Sequence, residues 1–363
     1  MRNIEFITVD DGSGNMKLVR NGANGEKISK MSPSYVMTGD PLMDGVGVAA
    51  TAWELDDVNY SVGDNLQQIE STTSTGYQTS IINRVLVNNI VAMENIDGPI
   101  ALGVTLPTAE YFSGNGKNPI NLAKIEAKKK NIMGELTNVS GLLKRPNIVA
   151  VRVYPEAIPA YVYCANEGIT SASGAIQDYR KDEVNLVIDL GHYTCDIARI
   201  TNGLNITAKA SFDHGVNMLL DRYRTKLSIE FSQPYINKMS LEKIKTSFEE
   251  GQWRIGSELH DTTEIIDSLT VNFFRELTRK IEDAIGGEGM IEGIDRVIIV
   301  GGGAHIIGNV AEQEQYNHNI VIPPQPEFAI ARGVHMLMMS KADEIIAELT
   351  PPAEKTPAEV LDD

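Results

Sequence analysis

One segment that occurs twice constrains this chain more than any other feature. Ile4-Glu5-Phe6-Ile7-Thr8-Val9 reads as a short strand, closed by Asp10-Asp11-Gly12-Ser13-Gly14-Asn15, after which Met16-Lys17-Leu18-Val19 resumes an extended pattern. The same order returns where Val184-Asn185-Leu186-Val187-Ile188-Asp189 meets Leu190-Gly191-His192-Tyr193-Thr194 and runs back as Cys195-Asp196-Ile197-Ala198-Arg199-Ile200. Each half therefore carries a strand ending in Asp, a tight turn and a return strand. The residues do not repeat, but the architecture does. A length of 363 residues fits two domains.

The intervening stretches alternate helix and strand. Apolar spacing predicts helices near 80–94, 121–132, 215–229, 240–253 and 262–285, and strands at 99–106 and 296–300. The second of these strands runs into Gly301-Gly302-Gly303-Ala304. On the helix at 121–132, Lys124, Lys128, Lys129 and Lys130 read as a solvated face. The boundaries expected are a first domain at 1–165, to which 331–349 return, a second at 166–330, and a mobile acidic tail at 350–363.

Each turn read alone has two meanings. Asp and Gly make plain hairpins, but Gly12 and Gly14 also let backbone N–H groups approach phosphate oxygens. Ser13 adds a hydroxyl, Lys17 a positive charge, and Asp10 an acceptor for metal-bound water. Asp189, Gly191 and Thr194 repeat that chemistry, and the bare backbone at Gly301–Gly303 offers a surface for a nucleoside. Other nucleotide-binding patterns fail. No G-x-x-x-x-G-K-[ST] occurs, and Ile306 stands where a G-x-G-x-x-G run starting at Gly301 needs its third glycine.

Composition excludes further classes. Cys164 and Cys195 are the two cysteines, too few for a disulfide scaffold or a cysteine-ligated metal cluster. With 49 acids against 32 Lys and Arg, the net charge is −17, which disfavours coating of nucleic acid. No apolar run approaches the roughly 18 residues of a membrane span, and the N-terminal stretch interrupted by Glu5 does not read as a signal peptide. The expected place is the cytosol.

Taken together, these residues resemble the actin-like ATPase superfamily, and within it the ParM (StbA) family of plasmid-segregation actins. Ile7 to Leu18 is similar to that family's first phosphate motif, Ile188-Asp189-Leu190-Gly191 with Thr194-Cys195-Asp196-Ile197 to its second, and Val300 to Ala304 to its adenosine motif. Thr105 to Tyr111 is similar to a strand end of that family, Tyr154 to Ala160 to its first connecting helix, and Pro326 to Gly333 to its second connecting segment. The resemblance spans residues 4 to about 340 and implies an α/β, actin-like fold, a duplicated ribonuclease-H-like unit around a nucleotide cleft. One position departs from the pattern: small residues usually follow the glycine of the second phosphate motif, whereas here His192 and Tyr193 do. His192 reads as a packing residue.

The resemblance implies ATP or ADP with Mg²⁺ as ligands. Asp10 and Asp189 would join the water shell of the metal, Glu156 would orient the attacking water, and Asp11, Asn15 and Asp196 would join the phosphate and nucleoside contacts. Without the resemblance, Glu156 is equally a helix N-terminal acid after Pro155. Glu242 and Lys245 share a helical face and resemble a nucleoside-contacting pair, or form an ordinary surface pair. Two functions stay open: a filament that separates bacterial plasmid DNA through a DNA-binding adaptor of the ParR type, or a non-polymerising ATPase or small-metabolite kinase. Neither needs direct contact with nucleic acid or membrane.

Overall fold

The computed structural model describes residues 4–349 apart from 40–42, 45–46, 49–50, 64–65, 67–68, 75, 115–118, 170–178, 288–289 and 314–318. The expected tail at 350–363 lies outside the described residues. Alternation of apolar and turn residues forms β1 (Glu5–Asp11), β2 (Asn15–Asn21) and β3 (Lys27–Pro33), an antiparallel meander. β4 (Ile100–Leu106) and β5 (Ile148–Pro155) add in parallel beyond β1, so the sheet order is β3-β2-β1-β4-β5. All seven residues of β4 are buried, as expected for a parallel strand covered on both faces.

The second half builds the same sheet. β6 (Asn185–Leu190), β7 (Cys195–Thr201) and β8 (Asn205–Phe212) form the meander. β9 (Arg296–Val300) and β10 (Asn319–Val321) add in parallel, giving β8-β7-β6-β9-β10. The strand orders are identical. The duplication read in the turns is a duplication of topology.

Helices cover the sheets. α1 (Ile81–Ala92) starts where the Ser80 hydroxyl accepts from the Asn83 N–H at 3.2 Å, and α2 (Leu122–Met133) where Asn121 accepts from Lys124 N–H at 3.0 Å. Both pack in the first half's core around Ile7, Leu18, Leu102 and Trp53. α3 (Ala157–Asn166) follows β5. In the second half, α4 (Val216–Glu230), α5 (Leu241–Glu250), α6 (Thr263–Ile285) and α7 (Ala304–Gln313) follow. α5 stops short of the expected 253 because Gly251 turns left-handed at φ 67, and Gln252–Ile255 instead forms a hairpin with Glu258–Asp261. Helix α8 (Ala329–Met339) returns to the first sheet, where Ala331 C=O accepts from the Thr8 hydroxyl at 3.0 Å, and a short helix, Ala342–Leu349, follows it. α3 and α8 share a core with Phe6, Ala101, Val187, Ile298 and Val300, which joins the two halves.

Among the elements that went unread in the sequence is an outer sheet. Val36–Thr38, Thr51–Leu55, Val58–Val62 and Thr137–Asn138 form a four-stranded antiparallel sheet over the first half.

Candidate functional site

The site forms where the two duplicated hairpins end. Asp10 on β1 lies opposite Lys17 on β2, and the Lys17 ammonium donates to Asp10 Oδ2 at 2.9 Å. Asp189 on β6 lies opposite Asp196 on β7 in the matching register. The second hairpin thus places two acids side by side, an arrangement that costs stability on a sheet. Thr194 donates its hydroxyl to Asp196 Oδ2 at 3.0 Å, and Asp196 Oδ1 is buried with no hydrogen-bond partner among the described residues.

Glu156 follows Pro155 at the end of β5. Its N–H donates to the Leu106 carbonyl at 3.1 Å, which fixes the start of α3 at the edge of β4. The carboxylate is buried and makes no capping bond, so it does not serve the helix end as an exposed first-turn acid would. Burial, then the charges of Asp196, Asp189, Asp10 and Asp11, push its pKa well above the usual carboxylate range. Asp189 is pushed up to about 7 by burial and by Asp10 and Asp196, with Lys17 opposing. Asp196 is also raised, first by burial. Burial lowers Lys17, but Asp10, Asp189 and Glu156 more than offset it, so its pKa is raised.

Bare backbone surrounds this acidic group. Gly301 takes φ +84, and a Cβ there would strike Asp189 Oδ1 and the Leu190 carbonyl, so glycine lets β9 end against the Asp189 carboxylate. Gly303 N–H donates to the Leu190 carbonyl at 2.9 Å, Ala304 is buried at the start of α7, and Gly302 is exposed with open space around it. Gly191 N–H closes its own turn on the Thr194 carbonyl at 2.9 Å. In the first turn, Ser34 Oγ donates to the Gly12 carbonyl at 2.8 Å and Thr72 Oγ1 to the Ser13 carbonyl at 2.7 Å, while Ser13 and Asn15 stay partly exposed.

The group fits a magnesium-bound polyphosphate. Clustered acids with raised pKa values, an orphaned buried oxygen on Asp196 and bare turns suit a cation that brings its own waters. No group of three or more His, Cys, Asp or Glu among the described residues is arranged to ligate a metal ion directly.

Several residues lie elsewhere than their sequence suggests. Asp11 is fully buried and faces into the first half's core. Its Oδ2 accepts from Asn83 Nδ2 at 2.6 Å and from Lys128 Nζ, and its Oδ1 from Thr105 N–H at 3.1 Å. Protein donors therefore engage both oxygens, and Asp11 holds the turn from behind. Lys128 corrects the solvated-face reading of the basic run: it is 0% exposed and also donates to Asn83 Oδ1 at 3.0 Å and to Gln78. Burial lowers its pKa, and Asp11 offsets part of that. Thr105 is a site residue that sequence reading passed over; its hydroxyl lies 3.1 Å from Asp10 Oδ1 and 3.2 Å from Asp11 Oδ1, joining the two. On α5, Lys245 pairs with Glu249 at 3.6 Å rather than with Glu242, and both Lys245 and Glu242 are exposed. The Lys245 charge adds, after burial and Lys17, to the depression of the His192 pKa.

Removing the buried cation should expose its structural role. Lys128→Met leaves Asp11 uncompensated and is expected to cost about 3–5 kcal/mol in urea unfolding. Asp11→Asn in the same chain should recover most of it, and equal losses in the single and double variants would refute the pairing.

These features, two sheets of one strand order with acids and glycine turns at the facing strand ends, define the actin-like class. An archaeal actin homologue covers 93% of this chain and 100% of its own at a TM-score of 0.73 and 17% identity. Its complex with ADP matches at a TM-score of 0.71. A 15-stranded ParM filament from Clostridium botulinum matches at a TM-score of 0.68 and 16% identity, over 93% of this chain and 99% of that one. By sequence, residues 6–167 match the N-terminal family of the plasmid segregation protein ParM, and residues 179–337 match its C-terminal family. The chain belongs to the ParM family of plasmid segregation proteins. It matches none of the curated proteins with which it was compared. No described helix is long and apolar enough to cross a membrane.

Proposed function

We propose that this chain binds ATP with Mg²⁺ between its two hairpin turns and the Gly301–Gly303 turn, hydrolyses it, and polymerises in the ATP state to move plasmid DNA. The observation that carries the reading is the convergence of Glu156 with Asp10, Asp189 and Asp196 beside glycine turns from both halves. Gly12, Ser13, Gly14, Asn15, Lys17, Gly191 and Thr194 hold the phosphates. Gly301 to Ala304 lie against the nucleoside, with Lys245 and Glu242 at its approach. Asp10 and Asp189 hold the waters of the metal, which supplies charge neutralisation on the phosphates. Glu156 orients the attacking water and accepts its proton, and burial beside Asp196 and Asp189 raises its pKa well above the usual carboxylate range, which makes it a stronger base than an exposed carboxylate. Domains at 1–165 with 331–349, and at 166–330, would close on the nucleotide. The site of action is the bacterial cytosol.

Sedimentation tests the assembly. The protein should pellet with ATP and stay soluble without nucleotide. Phosphate release without any pelleting would favour the non-polymerising ATPase or kinase instead. A chain of net charge −17 should also show no measurable affinity for bare duplex DNA at physiological salt, leaving an adaptor of the ParR type to hold the plasmid. Tight binding of bare DNA in a filter assay would misplace that partner.

A further inference from the structure

The second hairpin turn carries an imidazole, His192, where the first has the small Ser13. A Cβ placed on Gly14 would lie 2.5 Å from the His192 ring, so the ring rests on the Gly14 backbone and bridges the two turns. Its seat is rigid. The Gly191, His192 and Tyr193 carbonyls accept from Val216, Asn217 and Gly215 N–H at 3.0, 2.8 and 3.0 Å, which binds the turn to the start of α4. Neighbouring side chains therefore diverge: His192 points inward, and Tyr193, 39% exposed, points out into a groove with Met218, Leu241 and Leu269. The helix start spends its donors on this turn, so the turn backbones and side chains are left to meet a phosphate.

We propose that the His192 ring is a displaceable plug between the two phosphate turns, and that the terminal phosphate of a nucleoside triphosphate must move it to enter. This inference rests on the nucleotide reading above. Gly301 and Gly303 lie beside Asp189 and Leu190; with the nucleoside seated against them as proposed, the last phosphate is the group left to reach across to Gly14. The ring fills that crossing. Burial, with Lys17 and Lys245 nearby, holds its pKa down to about 4, so at neutral pH it is an uncharged ring with no charge to offer a phosphate. Seating the plug lowers the fraction of molecules ready for triphosphate, and apparent affinity falls by that fraction. A diphosphate, one group shorter, disturbs the ring less. His192 thereby sets the preference between the two nucleotides.

Nucleotide titration and stopped-flow association on the full chain test this with ATP and ADP, each with Mg²⁺. His192→Gly should tighten ATP binding and speed its association by about tenfold, with less than about threefold change for ADP. Equal gains for both nucleotides, no change, or weaker ATP binding would each overturn the plug; weaker binding would make the ring a phosphate ligand. A thermal double-mutant cycle checks the contact without any nucleotide. Gly14→Ala should destabilise the protein with His192 present and much less with His192→Gly, and additive effects would refute the contact. If the unaltered protein binds neither nucleotide while the cycle shows coupling, the nucleotide reading fails and the plug falls with it, but the contact stands.

Discussion

Replacing Glu156 with alanine is expected to separate nucleotide turnover from nucleotide binding. The phosphate turns, Asp10, Asp189 and the Gly301 turn keep their own anchors, through Thr105, Ser34, Thr72 and the β6–β9 pairing. ATP should therefore still bind and the ATP state should still assemble. Hydrolysis should fall on the order of 10²-fold, the usual loss when a positioned proton acceptor is removed. Filaments should outlast those of the unaltered protein, because the ADP state forms slowly. The same substitution removes a buried carboxylate crowded by Asp196, Asp189, Asp10 and Asp11, so the nucleotide-free protein should become no less stable. Phosphate release and light scattering on one sample decide the matter. Near-normal phosphate release would eliminate Glu156 as the proton acceptor.

Asp189→Asn should produce the second large effect. The isosteric amide keeps the packing against Gly301 but loses the negative charge that would hold metal-bound water. Affinity for Mg²⁺-ATP should fall about 10–100-fold, as for loss of an outer-shell partner of a metal. Stability should move the other way. The Asp189 pKa is raised to about 7, so the folded protein holds this proton more tightly than the unfolded chain does. That contribution is complete at acidic pH, below the unfolded pKa near 3.9, and is lost as pH rises through about 7. Nucleotide-free protein should therefore melt lower at pH 8 than at about pH 6, and Asp189→Asn should flatten that slope. An unchanged titration with Mg²⁺-ATP would remove Asp189 from the site.

Much of this site was legible in the sequence because its determinants are local. A strand that ends in Asp and meets glycines announces both hairpins, and the matching registers of Asp10 with Lys17 and Asp189 with Asp196 follow from the shared spacing. Glu156 was ambiguous from its own neighbours, since an acid after Pro155 suits a helix start equally well. Its burial without a cap bond decides against the exposed helix-end role. The outer sheet escaped notice because its strands are short and irregular. Thr51–Leu55 and Val58–Val62 are joined through Asp56 and Asp57, both at positive φ, and their packing depends on Trp53 reaching Asn89 at 2.9 Å.

By itself, the sequence determined the duplicated hairpins, the order of the phosphate and glycine turns, and the acidic surface charge, because strand, turn and charge are properties of neighbouring residues. Tertiary structure decided which charges are buried and what they face. Lys128 looks like its neighbours Lys129 and Lys130 on one helix, yet it alone of the three is enclosed, because Asp11, Gln78 and Asn83 arrive from distant parts of the chain to receive it. His192 looks like a packing residue, yet its ring lies across the gap to Gly14 because α4 holds its turn in place. A charge or ring takes its role from the partners that reach it through space, and those partners are set only when the two sheets and their helices close together.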